Sequence, residues 1–275
     1  MKTSLTIVIP TLNEEVNIRT CLESIGSFAS VLVVDSGSSD RTLEVAEECG
    51  CKVVNFGWNG SYPKKKNWVL LENLVSTEWI LFLDADEYLT DEFKSEVAEV
   101  LPKTHCNGFW LTYHNHFMGN RLVHGIPFRK LFLLRNGKGL FQRVDDEGWT
   151  SLDMEVHEQL EIDGEVGVIK APIIHNNYKG FDHFIEKHNE YSTWEAKRFL
   201  SGKEHFNPSF RQKVKRAFID SYFLGPLYFV VNYIFRLGFL DGKAGFIYSA
   251  IKANYFFQVK VKIDELRRPN AKVED

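Results

Sequence analysis

The sequence predicts an α/β protein with a mostly parallel central sheet, mixed strands after it and a C-terminal helical extension. Three observations carry this. Apolar runs at 4–10, 31–35, 52–55 and 79–83 alternate with helical segments at 14–26, 40–49 and 63–74, the pattern of right-handed strand-helix-strand units. From Gly108 to Ile174 the pattern changes to short alternating segments such as Phe109-Trp110-Leu111-Thr112-Tyr113 and Leu131-Phe132-Leu133-Leu134 between Gly-rich turns, which predicts mixed or antiparallel strands. From Gly180 onward the chain reads as helical.

Each element follows from local chemistry. The first strand runs into the polar helix start Pro10-Thr11-Leu12-Asn13-Glu14-Glu15, and Val31-Leu32-Val33-Val34 runs into Asp35-Ser36-Gly37-Ser38-Ser39-Asp40-Arg41-Thr42. The fourth strand, Trp79-Ile80-Leu81-Phe82-Leu83, ends in Asp84-Ala85-Asp86-Glu87. Alternate residues of a strand face the same side, so Asp84 and Asp86 can aim their oxygens at one point beyond the sheet. A helix over 91–101 follows, with Pro102 ending it. Phe181–Leu200 is amphipathic, and Pro208 precedes a second helix starting at Ser209. The boundaries expected are 1–178 for the sheet domain, divided into 1–103 and 104–178, and 179–275 for the helical region.

In an open parallel sheet, ligands bind outside the carboxyl ends of the strands, so the three acid-bearing tips should converge on one crevice. A pair of carboxylates there suits Mg²⁺ or Mn²⁺, which keep open positions for phosphate oxygens. Acidic pairs after strands also occur as solvated turns and helix caps, so the argument rests on the company Asp84 and Asp86 keep.

That company resembles the family 2 glycosyltransferases of the GT-A, Rossmann-like fold. The resemblance lies in Ile9-Pro10-Thr11-x-Asn13-Glu14, Val34-Asp35-Ser36-Gly37-Ser38-x-Asp40-x-Thr42, Lys66-Asn67 and Leu83-Asp84-Ala85-Asp86-Glu87, and it covers the first half of the chain. Val156-His157-Glu158, Ile174-His175-Asn176-Asn177-Tyr178 and Gly238-Phe239-Leu240-Asp241-Gly242-Lys243-Ala244-Gly245 are similar to the branch that includes bacterial lipopolysaccharide core glucosyltransferases. The resemblance implies an inverting, metal-dependent transferase that moves a hexose, glucose from UDP-glucose being the first choice, onto a lipopolysaccharide core or other lipid-linked acceptor, the nearer alternative being the same donor chemistry on polyprenyl phosphate, capsule or a protein side chain. It implies that Asp35 meets uracil while Pro10, Thr11, Asn13, Glu14 and Ala85 line the base and ribose. Lys66 would lie near uracil or diphosphate, with Lys64 and Lys65 left as surface residues. Asp84 would meet ribose or metal, Asp86 the metal, and His175 the metal or diphosphate. The general base would be Glu158, with Asp145, Asp146, Asp153 and Glu155 as rivals and His157 orienting it. Arg129, Lys130 and Arg135 could hold phosphates, and Trp110, Tyr113 and Trp149 could stack on sugars or pack the core.

Two alternatives come from different classes: a nucleotidyltransferase and a non-catalytic nucleotide-binding module. Nucleotidyltransferases carry a Gly-rich basic loop after the first strand, and residues 10–15 have neither glycine nor positive charge. Cys21, Cys49, Cys51 and Cys106 include no Cys-x-x-Cys pair and read as reduced thiols of a cytoplasmic protein without a secretory signal. The net charge is −4, yet residues 203–275 carry +6 and the first 202 carry −10. No nucleic-acid partner is expected. The apolar run 222–235 is shorter than the roughly 20 residues that span a bilayer and contains Gly225-Pro226, so it is either interfacial at the inner membrane face or a core or dimer helix.

Overall fold

The computed structural model describes residues 4–59, 61–143, 159–177, 179–202 and 210–268. They form two compact units, one drawn from 4–119, 127–143, 159–177 and Lys179, the other from 120–126 and the residues after Lys179.

The first unit is built on a sheet. Its strands are β1 (Leu5–Thr11), β2 (Ser30–Asp35), β3 (Lys52–Asn55), β4 (Trp79–Phe82), β5 (Glu87–Leu89), β6 (Gly108–Phe117), β8 (Arg129–Arg135) and β11 (Val166–His175), in the order β3-β2-β1-β4-β8-β6-β11-β5. The strand β7 (Asn120–Arg121) belongs to the second unit. The first four strands pair in parallel, β8 runs antiparallel to β4 and β6, β6 and β11 are parallel, and β5 closes antiparallel on β11. A separate antiparallel pair joins β9 (Gly139–Phe141) to β10 (Leu160–Ile162). Ile7, Val8, Ile9, Val33, Val34, Ile80, Leu81 and Phe82 are fully buried, as expected of parallel strands covered on both faces.

Helices α1 (Ile18–Ile25), α2 (Thr42–Glu48), α3 (Lys65–Leu71) and α4 (Asp91–Val100) occupy the intervals between strands. All are shorter than their sequence patterns. The predicted start at residue 14 gives way to a tight turn: Asn13 has a positive φ of 55°, and Asn17 N–H and Ile18 N–H both donate to Glu14 O before the helix begins at Ile18. Glu14 N–H donates to Thr42 Oγ1 at 2.7 Å and Glu15 N–H to Asp40 Oδ2 at 3.1 Å. The helix expected over 91–101 ends at Val100, and Pro102 sits inside the 3₁₀ turn that follows it, Leu101–Lys103, where its missing N–H costs no bond in the first turn. Strand β5 was not foreseen, since three residues are too short for a period to show. Asn67, fully buried, clamps the smaller sheet: its Oδ1 accepts from Phe141 N–H at 2.9 Å and its Nδ2 donates to Phe141 O at 2.8 Å.

The second unit contains α5 (Gly180–Leu200), α6 (Phe210–Ile219), α7 (Leu224–Phe229) and α8 (Gly242–Arg267). Between α7 and α8 the chain makes a π-helical turn, Val230–Phe235, and a 3₁₀ turn, Gly238–Asp241. Ala196, Ile219, Leu224, Tyr255, Val259 and Ile263 form its core. No helix among the described residues is long and apolar enough to cross a membrane. Here His188 Nδ1 donates to Phe184 O at 2.8 Å, which leaves Nε2 to accept from the Lys252 ammonium at 2.9 Å.

Burial and the adjacent Lys252 charge push His188 down from the ordinary 6.5 to about 3. The unfolded chain therefore binds a proton at this residue between those values and the folded chain does not, so stability conferred by the neutral ring is lost as pH falls. Equilibrium urea unfolding is expected to show a midpoint that drops between about pH 6.5 and about 3, with a shallower slope in His188→Gln.

Candidate active site

Sheet register brings the acid-bearing strand ends to one edge. Thr11 pairs with Asp35 across β1 and β2, and Val8 with Phe82 across β1 and β4. Leu83 N–H continues the ladder by donating to Val8 O at 3.0 Å, so Asp84 to Asp86 leave β4 beside Pro10 and Thr11.

The Asp35 loop is cross-linked from within. Fully buried Asp35 accepts from Thr11 Oγ1 at 2.9 Å, Gly37 N–H at 2.8 Å, Ser38 N–H at 2.7 Å and Ser38 Oγ at 2.5 Å. Gly37 supplies the turn with a φ of 88°. Asn13 does not cap α1; its Oδ1 accepts from Ser39 N–H at 2.8 Å, and its own N–H donates to Ser38 Oγ at 2.8 Å. Asp40 orders the same loop by accepting from Thr42 N–H at 3.0 Å. A nucleobase contact at Asp35 would have to exchange with one of these bonds, the Ser38 hydroxyl being the least constrained.

Around the acidic loop, Lys130 is the central cation. It forms ion pairs with Asp84 and with Glu87, the latter at 2.6 Å, and its Nζ lies 5.1–5.4 Å from the ring centroids of Tyr113, Phe128 and Phe132. Burial pushes the Asp84 carboxyl up, but the Lys130 and Lys66 ammoniums outweigh it and hold it down at about 2. For Glu87 the balance reverses: burial outweighs Lys130 and pushes this fully enclosed carboxyl up to about 7. Lys130 itself pays for burial but is driven well above its ordinary value by the two acids.

Asp86 faces another set of partners. His175, at the end of β11, stands opposite Glu87 in the β5 register, with Nε2 3.4 Å from Asp86 Oδ2 and Nδ1 3.1 Å from Asn115 Oδ1. Asn177 Nδ2 donates to Asp86 Oδ2 at 3.0 Å, and Asn176 N–H to Asp86 O at 2.9 Å. Burial opposes charge on His175, yet Asp86 and Glu87 raise it above its ordinary value. Asp86, Glu87 and His175 each offer one ligand atom, all within 4.8 Å of one another. Two carboxylate oxygens with one imidazole make a donor set for a divalent metal ion. The structure thus gathers Asp86 and His175 with Glu87, to which the sequence pattern assigns no role, while Lys130 engages both Asp84 and Glu87.

Several expectations need correction. Lys64 and Lys65 are not surface residues: all of Lys64, Lys65 and Lys66 are buried. Lys65 Nζ donates to Thr11 O at 2.9 Å, and Lys66 Nζ lies 4.7 Å from the Phe132 ring centroid. Their stems run through apolar surroundings while their heads find carbonyl and aromatic partners. Arg135 cannot hold phosphate beside Asp84, because β8 is antiparallel to β4 and places it opposite Trp79, at the far sheet edge, paired with Glu78. Tyr113 is buried in packing against Phe128, while Trp110 and Arg129 are exposed. Glu14 pairs with Lys179 at 2.6 Å, a partner no sequence pattern announced, and Ala85 is buried. His157 and Glu158, with Asp145, Asp146, Trp149, Asp153 and Glu155, lie outside the described residues.

A sheet of this topology with an acidic loop after its fourth strand is that of the GT-A fold, which solved structures share. The mannosyltransferase PcManGT of Pyrobaculum calidifontis, solved with GDP-Man and Mn²⁺, superposes with a TM-score of 0.52 at 14% identity, over 98% of this chain and 89% of that one. Residues 1–349 of S. aureus TarS, solved with UDP-GlcNAc, give 0.50 at 16% identity, over 98% and 94%. The chain belongs to glycosyl transferase family 2, whose family model matches residues 6–159. Among sequence relatives, the lipopolysaccharide core biosynthesis glycosyltransferase LpsC of Rhizobium meliloti (strain 1021) is 29% identical over 273 residues, 95% of this chain and 92% of its own length. A glycosyltransferase of Rickettsia felis is 28% identical over 85% of this chain and 82% of its length. Family membership sets aside the nucleotidyltransferase and the non-catalytic module.

Lys130→Met leaves Asp84 and Glu87 without their ammonium. It is expected to destabilise the protein by about 3 kcal/mol at neutral pH in urea unfolding. Added Mn²⁺ is expected to raise the thermal midpoint of this variant more than that of the unaltered chain, because the cation then meets uncompensated carboxylates.

Proposed function

We propose that this protein is an inverting transferase that moves a hexose, glucose from UDP-glucose in the first instance, onto a lipopolysaccharide core or other lipid-linked glycan at the cytoplasmic membrane face. The observation that carries the reading is the shared sheet edge where the Thr11–Asp35 loop pair and the Asp84–Glu87 loop meet. The 29% identity to LpsC over nearly the whole chain supports the acceptor class.

In this reading Pro10, Thr11, Asn13, Glu14 and Asp35 shape the nucleoside seat. Asp84 and Ala85 border the ribose, with Lys66 and Arg129 toward the diphosphate. Asp86 and His175 would hold Mg²⁺ or Mn²⁺, with Glu87 or Asp84 as a further carboxylate. The ion supplies charge stabilisation for the departing diphosphate without proton transfer. Glu158 takes the proton from the acceptor hydroxyl as its oxygen attacks the anomeric carbon opposite UDP, and His157 orients that carboxylate. Because a metal ligand must be a neutral imidazole, His175 would have to give up the proton that Asp86 favours on it in order to hold the ion.

Three experiments test this. Screening UDP-sugars for Mn²⁺-dependent hydrolysis identifies the donor, and Asp86→Ala is expected to abolish turnover while the protein stays folded; metal-independent turnover at the original rate refutes the assignment. Glu158→Gln is expected to lower transfer by about 10² to 10⁴ with UDP affinity unchanged. Unaltered transfer would reassign the base to one of its acidic neighbours.

A further inference from the structure

The motif Gly238-Phe239-Leu240-Asp241-Gly242-Lys243-Ala244-Gly245 has no part in the chemistry above, and the second unit shows what it builds. Asp241 accepts from His124 N–H at 2.9 Å, Val123 N–H at 3.2 Å and the His124 ring at 2.9 Å. Buried Asn232 accepts from Ile126 N–H at 2.8 Å and donates to Ser249 Oγ at 2.8 Å, which donates to Gly245 O at 2.7 Å. Gly125 N–H donates to Arg236 O at 2.9 Å. A Cβ on Gly245 would lie 2.0 Å from Gly238 O, and one on Gly238 would lie 2.7 Å from Asn232 O, so backbones here touch as only glycine permits. Leu237 is held at a φ of +58°.

This rigid base carries a tip that no part of its own unit covers. Ile234, Phe235, Leu237, Phe239 and Leu240 are all exposed, Phe235 to 75% and Leu240 to 56%. Arg236 and Lys243 are exposed among them, and neither side chain has an ion-pair partner among the described residues. Between Asp220 and Asp264 the sequence holds a single acid, Asp241, and its carboxylate is locked against the 123–124 backbone. Lys260, by contrast, is paired with Asp220 and Asp264. Exposed apolar side chains interleaved with free cations, and no free carboxylate, complement a surface that is apolar beneath an anionic layer.

We propose that the turn from Ile234 to Lys243 is a membrane-docking tip that inserts Ile234, Phe235, Leu237, Phe239 and Leu240 at the headgroup boundary of an anionic phospholipid bilayer, with Arg236 and Lys243 on lipid phosphates. It deepens the lipid-linked acceptor reading and rests on that reading only for its purpose, since docking is measured without sugar. The test is flotation of the full chain with vesicles of phosphatidylethanolamine and phosphatidylglycerol, against vesicles of phosphatidylcholine alone. Expected is binding to the anionic vesicles that weakens with salt, falls about tenfold or more in the double variant Phe235→Ser, Leu240→Ser, and falls about 25-fold in Arg236→Gln, Lys243→Gln. Thermal midpoints and UDP-sugar hydrolysis should be unchanged in both. Absence of wild-type binding, or equal binding by the variants, overturns the proposal, as does self-association through the tip in its place. Binding without any UDP-sugar hydrolysis would instead sink the proposed function and leave the tip standing.

Discussion

Everything at the candidate site depends on how three carboxylates on four consecutive residues are kept from repelling one another. Lys130 meets this constraint for Asp84 and Glu87, and it can do so because β8 runs antiparallel to β4 and delivers its first residues beside the end of that strand. The aromatic rings of Tyr113, Phe128 and Phe132 surround the ammonium with polarisable faces, so a charge largely withdrawn from water still has partners on several sides. The same withdrawal separates the acids: Asp84, nearer two lysines, stays ionised, whereas Glu87, fully enclosed, holds its proton into the neutral range. Adjacent carboxylates thus acquire different characters from their surroundings alone.

The loops around the site are rigid for a second reason. The segments 11–15 and 38–42 exchange side-chain to backbone hydrogen bonds in both directions, through Asn13 and Ser38, Asp40 and Glu15, and Thr42 and Glu14. The chain leaving the first of them makes a tight turn, with Asn17 N–H and Ile18 N–H both donating to Glu14 O, and α1 begins only after it. Helix length is given up where the chain turns toward the candidate nucleotide seat, and the amides of residues 13–15 tie two strand ends together.

Much of this was legible in the sequence because it is local. The strands β1 to β4 and the acids at their tips are written in short-range pattern, and β3 falls on its expected residues, 52–55. What the pattern hid is long-range. A lysine run reads as solvated charge unless one knows that Phe132 and Phe141 lie above Lys66. Arg135 looks like a phosphate ligand until strand direction puts it at the far edge, over Trp79. Glu87 gains its place only when β5 pairs with β11 and sets it opposite His175, a contact between residues far apart in the chain.

That pairing also explains why His175 is placed as it is. A histidine at a strand end has little to fix its ring, but here the parallel neighbour β6 offers Asn115 to Nδ1, and the antiparallel neighbour β5 leads back to Asp86 at Nε2. Phe128 lies against the ring at 5.9 Å between centroids. With Nδ1 engaged by Asn115, Nε2 is the nitrogen that faces the carboxylates, which is the orientation a metal ligand needs. Asn177 then holds the Asp86 oxygen from the segment that follows. The run His175-Asn176-Asn177 therefore works as one device: a ring and an amide directed at the same carboxylate, fixed by the strand that carries them.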